Sequence, residues 1–216
     1  MNLPNSITLA RIGCVPVFLW ILAGNRFPSV HGRQELLALA VFLLASVTDG
    51  LDGYLARRYH QVTTLGMLLS PLADKLLVAT AYISLVQFAP MLVSAWIAVL
   101  IVGREFLVTG LSSVALQEGL TLRVRDIGKF KTVVQVGSVA AVLMAHAWPT
   151  WTVAGTVLPG TAIAISMIWL MLAVSLLSAF AYFRAFWTEA ALQSKLRRKP
   201  LPFVIKRPGD ENVRAV

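Results

Sequence analysis

Three carboxylates stand at helical spacing in otherwise apolar sequence: Asp49 and Asp52, then, beyond a polar turn, Asp74, with Ser70 one helical turn before it. On a helix, Asp49, Asp52 and Ala56 share one face, and so do Ser70 and Asp74 on the next. Two antiparallel helices joined by the turn Arg58 to Thr64 would bring those faces together. Each Asp near the centre of a membrane helix costs on the order of 3 kcal/mol to insert, so such a group calls for partners. Clustered carboxylate oxygens repel one another unless a hard divalent cation lies between them, and all-oxygen ligation suits Mg²⁺ or Mn²⁺ rather than zinc. Gly53 and Ala56, on the same surface, remove side-chain bulk where a planar base or a pyrophosphate could approach the backbone. The plainer alternative is that the small residues serve close helix packing and the carboxylates pair with Arg57 and Lys75. Salt bridges alone would not need this many carboxylates facing one pocket.

The elements that must hold these residues are membrane helices. The chain has 216 residues, 57% of them hydrophobic and only 13% charged, with a mean hydropathy of +0.75. Apolar stretches of about 20 residues, the length that crosses a bilayer, recur along it. Six spans are expected, at about Ile12 to Ala23, Glu35 to Arg57, Leu68 to Phe88, Met91 to Leu111, Thr132 to Ala147 and Val157 to Phe183, in an all-α integral membrane protein. A short interfacial helix from Asn5 would precede the first and carry Arg11 at the membrane surface. Only Arg26 and Arg33 of the 19 Lys and Arg oppose a cytoplasmic N-terminus and C-terminus, the bias that insertion favours. The net charge of +9 is therefore topological, and nucleic acid is not an expected partner, because the basic residues fall between or beyond apolar segments. Trp148 and Trp151 suit an outer-interface turn. Residues 1–185 read as one membrane domain and 186–216 as a basic cytoplasmic tail, mobile and drawn to anionic headgroups. Cys14, the single cysteine, excludes an internal disulfide. A cleavable signal peptide is not expected from MNLPNSITLAR, and His31, His60 and His146 lack metal-ligand spacing and suit loop or interface roles.

The array Asp49-Gly-Leu-Asp52-Gly53-Tyr-Leu-Ala56-Arg57, eight residues, Gly66-Met-Leu-Leu-Ser70-Pro-Leu-Ala-Asp74 resembles the signature of the CDP-alcohol phosphotransferases, D-x2-D-G-x2-A-R-x8-G-x3-D-x3-D, at every defined position but one. Three further stretches are similar to its bacterial phosphatidylglycerophosphate synthase branch. They are Leu3-Pro4-Asn5-Ser-Ile-Thr8-Leu-Ala-Arg11, Gly103-Arg104-Glu105-Phe-Leu-Val-Thr109-Gly110-Leu111 and Gly128-Lys129-Phe-Lys131-Thr132. The resemblance covers about residues 1–185. It implies a six-helix, usually dimeric enzyme of the bacterial inner membrane, its site facing the cytoplasm. Such an enzyme moves a phosphatidyl group from CDP-diacylglycerol to sn-glycerol 3-phosphate and releases CMP. It also implies that Asp49, Asp52 and Asp74 hold a pair of divalent ions, with Asp74 the general base. Asn5, Thr8, Gly53, Ala56, Arg57 and Thr63 would contact the CDP moiety, and Arg104, Lys129 and Lys131 the acceptor phosphate.

Two positions depart from that pattern. Ser70 stands where the third signature Asp is expected to help hold the metals, and a neutral hydroxyl is a weaker ligand. Ser112 stands after Leu111 where an Arg for the acceptor phosphate is expected. A natural variant retaining one metal, a relative that has lost activity and a deliberately altered sequence all fit these changes. A non-catalytic binder of CDP-lipid and a relative using another alcohol therefore stand beside the main expectation. A transporter is a weaker rival, since its carboxylates should lie near the midplane.

Overall fold

The computed structural model describes residues 3–24, 32–58, 64–120, 126–153 and 156–197, and the side chains of 6–24, 32–48, 69–120, 130–152 and 156–192 among them. The elements run α1 Leu3–Leu22, α2 Arg33–Arg58, α3 Thr64–Phe88, α4 Ala95–Gln117, α5 Asp126–Ala147, β1 Thr150–Val153, β2 Thr156–Pro159 and α6 Gly160–Arg197. Four stretches are long and apolar enough to cross a bilayer: Leu69–Phe88, Ala95–Gln117, Phe130–Ala147 and Gly160–Leu192. A shorter apolar stretch, Ser6–Leu22, fills most of α1.

Where the large and small side chains sit identifies the solvent. Leu44, Val99, Leu107, Leu177, Phe180 and Trp187 point outward, more than half exposed. Ala38, Ala45, Ala73, Ala81, Ala164, Ser138, Ser175 and Ser178 are buried between helices. In water such an outer face would be an aggregation surface. In lipid, which is as apolar as leucine, helices gain by close approach over small residues, and the bulky chains face the tails. The chain is a mostly helical membrane protein.

α1 packs on α2 and α3, α2 on α5, α3 on α4, and α6 on both α4 and α5. The larger core side chains, among them Phe18, Phe42, Tyr82, Leu85, Ile101, Leu143, Ile168 and Met171, fill the centre of this bundle. Polar ties cross three of the seams. Arg11 Nε donates to the Ala45 carbonyl across α1 and α2 at 3.1 Å. Tyr82 and Ser138 join α3 to α5 at 2.7 Å. Because the Ser138 hydroxyl donates to the Gln135 carbonyl, Tyr82 is the donor in that pair. Arg104 Nη2 donates to Ser178 Oγ across α4 and α6 at 2.7 Å.

At the end of the bundle away from the Asp-bearing helix ends, Gln34 Nε2 donates to the carbonyls of Ile21 and Gly24, both at 2.8 Å, and satisfies orphan acceptors at the C-terminus of α1. His146 in the last turn of α5 donates from Nδ1 to Glu35 in the first turn of α2 at 2.8 Å, an arrangement both helix dipoles favour. A cavity of about 560 Å³ opens here, lined by Leu22, Gln34, Glu35, Ser84, Gln87 and His146. Gly32 has φ +77°, and a Cβ there would lie 2.5 Å from the Trp148 ring.

Several expectations change. No break separates an interfacial helix from the first span: α1 is continuous from Leu3 through Pro16, because proline in a membrane helix interrupts one ladder bond that neighbouring groups replace. Arg11 is not presented to the membrane surface but turned into the protein, 1% exposed. The tryptophan turn is the start of an antiparallel hairpin pairing Trp151 with Leu158, with Trp151 Nε1 donating to the Trp148 carbonyl at 2.8 Å. The last helix therefore starts at Gly160 rather than Val157. It also continues past Phe183 to Arg197, over Glu189, Ala190, Ala191, Leu192 and Gln193, all residues of high helix propensity.

Two substitutions test this packing. Gly32→Ala combines a left-handed backbone with a ring clash and is expected to lower stability by about 2 kcal/mol or more. Arg11→Ala, which empties a fully buried position and removes a seam tie, is expected to cost about 3 kcal/mol. Thermal unfolding in detergent reads both, and a midpoint shift within about 1 °C for either would contradict the packing assigned here.

Candidate active site

The signature residues fall on two consecutive helices. Asp49, Asp52, Gly53, Ala56 and Arg57 lie in the last turns of α2, and Ser70 and Asp74 in the first turns of α3. The two helices pack together. The side chains of Asn5, Asp49, Asp52, Gly53, Ala56, Arg57 and Lys129, and Thr63 altogether, lie outside the described residues. Thr8, of the expected nucleotide contacts, is buried in α1. Among the described residues no group of three His, Cys, Asp or Glu side chains is placed to hold a metal. The α3 half of the expected ligand set can be seen: Ser70 and Asp74 are half-buried, one turn apart, and offer only oxygen. That chemistry fits a hard divalent ion.

Beside them lies a group of buried charges. Arg104, in the middle of α4, is 6% exposed. Its Nη1 donates to Glu105 Oε1 at 2.9 Å, and Lys131 of α5 forms an ion pair with that same carboxylate oxygen. The Arg104 Nη2 is held by Ser178 of α6. The Nε of Arg104 is buried and donates to no described group. The charge of Asp74 also acts, more weakly than that of Glu105, on the Lys131 ammonium, which links the one carboxylate of α3 to the cations of α4 and α5.

Electrostatics explains why the cluster takes this form. Two cations held by one carboxylate leave a net positive charge away from bulk water, where an anion is bound more strongly than at a surface. A guanidinium adds a planar fork suited to a phosphate or carboxylate, and a lysine adds a point charge. Ser112 contributes no charge, and its hydroxyl donates back to the Val108 carbonyl of its own helix at 2.8 Å. Thr109 does the same toward the Glu105 carbonyl at 2.8 Å.

Of the residues expected to meet the acceptor phosphate, Arg104 and Lys131 come together here. Three residues were not expected in these roles. Glu105 could be seen in the sequence as an acid beside Arg104 inside an apolar helix, but its link to Lys131 depends on how α4 meets α5. Ser178 is one small residue among many in α6 and carries no local signal. Arg11 had a signal, an arginine inside a membrane segment, which more often marks a buried partner than a surface anchor.

Comparison with known proteins identifies the family. The family model described as CDP-alcohol phosphatidyltransferase matches residues 1–192. A CDP-diacylglycerol–glycerol-3-phosphate 3-phosphatidyltransferase of Bacillus subtilis (strain 168) is 44% identical over 153 residues, 66% of this chain and 77% of that protein. One of the same name from Rickettsia bellii (strain RML369-C) is 30% identical over 184 residues, 85% of this chain and 94% of its own length. A protein of Mycobacterium tuberculosis (strain CDC 1551 / Oshkosh) named probable phosphatidylglycerophosphate synthase is 35% identical over 169 residues, 77% of both chains. With a match over nearly all of its membrane helices, and with the signature on α2 and α3, this chain belongs to the CDP-alcohol phosphatidyltransferase family.

Proposed function

We propose that the protein transfers a phosphatidyl group from CDP-diacylglycerol to a hydroxyl of sn-glycerol 3-phosphate, forming phosphatidylglycerophosphate and CMP. One new bond joins the acceptor oxygen to the lipid-side phosphorus, and the bond from that phosphorus to the CMP oxygen breaks. The observation that carries this reading is the buried pair Arg104 and Lys131 on a shared carboxylate, within electrostatic reach of Asp74. A cation pair built for an anion, next to a carboxylate able to take a proton, is what a phosphorylated alcohol needs. The relatives from Bacillus subtilis and Rickettsia bellii carry names with that same substrate pair.

Asp49, Asp52 and Asp74, with Ser70, would hold one or two Mg²⁺ or Mn²⁺ ions. When bound, these would neutralise the pyrophosphate and the departing phosphate. Asp74 would accept the acceptor's proton. Gly53, Ala56, Arg57 and Thr63, with Asn5 and Thr8, would receive the CDP group. Lys129 would join Arg104 and Lys131 at the acceptor. In this reading all six helices span a bacterial inner membrane, both termini and the site face the cytoplasm, residues 186–216 form a basic tail, and the unit is a homodimer. The distribution of Lys and Arg supports that orientation.

Ser70 and Ser112 favour a second reading, an impaired enzyme or one using a different alcohol. One ligand charge is missing, and the hydroxyl of Ser112 is spent on its own helix.

Purified protein is expected to release CMP only when CDP-diacylglycerol, sn-glycerol 3-phosphate and Mg²⁺ are all present. Asp74→Asn should lower the rate by about 100-fold or more, as loss of a general base does, and Ser70→Asp should raise it. Absence of turnover in both the natural sequence and Ser70→Asp would overturn the proposal. Faster release with another alcohol in an acceptor panel would favour the second reading.

A further inference from the structure

The role assigned to Arg104 and Lys131 leaves Glu105 and Ser178 without a function. Glu105 meets both cations, and one oxygen, Oε1, receives both. Ser178 belongs to α6, which contributes no signature residue, yet its hydroxyl holds the other terminal nitrogen of the same guanidinium. The side chains joined to Arg104, directly or through Glu105, thus come from α4, α5 and α6.

The geometry points to Glu105 and Ser178 as positioning residues that set the spacing and orientation of Arg104 and Lys131 for the acceptor's phosphate. This rests on the reading above. An ammonium and a guanidinium brought side by side out of water repel each other, and a lysine side chain with four rotatable bonds would move away. The shared carboxylate oxygen holds both within one group. Ser178 removes the remaining rotational freedom of the guanidinium by pinning its far nitrogen, so that the fork presents a fixed edge. Lost freedom of this kind improves binding because it is already spent before the ligand arrives.

The idea separates sharply from simple charge neutralisation. If Glu105 only offset positive charge, removing its charge would make the site more positive and tighten anion binding. If it positions the cations, the same change weakens binding although the site gains positive charge. Glu105→Gln is therefore the decisive variant, with Ser178→Ala and Ser178→Thr beside it, the last keeping a hydroxyl in place.

In the CMP-release assay on full-length protein, Glu105→Gln is expected to raise the KM for sn-glycerol 3-phosphate about tenfold or more, while the KM for CDP-diacylglycerol stays within about twofold. Ser178→Ala should raise the acceptor KM about threefold, and Ser178→Thr should restore it. A lower acceptor KM in Glu105→Gln would overturn the proposal. So would a fall in kcat and thermal stability with no separation of the two KM values. A second measurement needs no turnover: thermal stabilisation of the detergent-solubilised chain by inorganic phosphate, expected for the natural sequence and lost in Glu105→Gln. Phosphate stabilisation lost in Glu105→Gln, in a chain that turns over no acceptor, would defeat the transferase reading and leave the positioning role standing. No phosphate stabilisation in the natural sequence would defeat the positioning role itself.

Discussion

A charge taken out of water must meet an opposite charge or leave, and around Arg104 that rule organises the site. Its guanidinium is buried in the middle of an apolar helix. Glu105 neutralises it from the same helix, Lys131 joins from α5 and Ser178 from α6. Breaking such a buried arrangement by removing one member leaves an uncompensated charge, which is far more costly than the net worth of any one pair. The group therefore fixes how three helices meet near Asp74, and the position of the α3 carboxylate relative to the cations follows from it.

The rest of the bundle repeats the theme with neutral partners. Little hydrophobic driving force acts between helices in lipid, so specificity comes from close packing over small side chains and from scattered interhelical hydrogen bonds. Arg11 on the Ala45 carbonyl lies one turn before Asp49 and locks α1 against the helix that carries the first two signature carboxylates. Tyr82 on Ser138 registers α3, the helix of Asp74, against α5, the helix of Lys131. The ties lie between the elements whose relative positions the chemistry needs.

The α2–α3 arrangement was legible because its residues are local: Asp49, Asp52, Ser70 and Asp74 follow helical spacing across one turn, and long apolar stretches need little context to be read as helices. The helix ends at Arg58, Phe88 and Ala147 also follow from local signals. What could not be read was pairing between distant segments. Nothing near Glu105 indicates Lys131, and nothing near Ser178 indicates Arg104, because those contacts depend on the rotation of each helix about its axis. Arg11 was placed at a surface because a short interfacial helix was expected to carry it, whereas α1 is one continuous helix that turns it inside. The hairpin at Thr150–Pro159 was missed because its second strand, Thr-Val-Leu-Pro, reads equally well as the start of an apolar helix.

α6 has 38 residues, which at about 1.5 Å per residue is roughly 57 Å, nearly twice the ~30 Å of a bilayer's hydrocarbon layer. Even with a common tilt of about 20° it is longer than that layer is thick, and Trp187 lies on its exposed side. The surplus length is built from Glu189, Ala190, Ala191, Leu192 and Gln193, so the same run of strong helix formers keeps the helix going to Arg197.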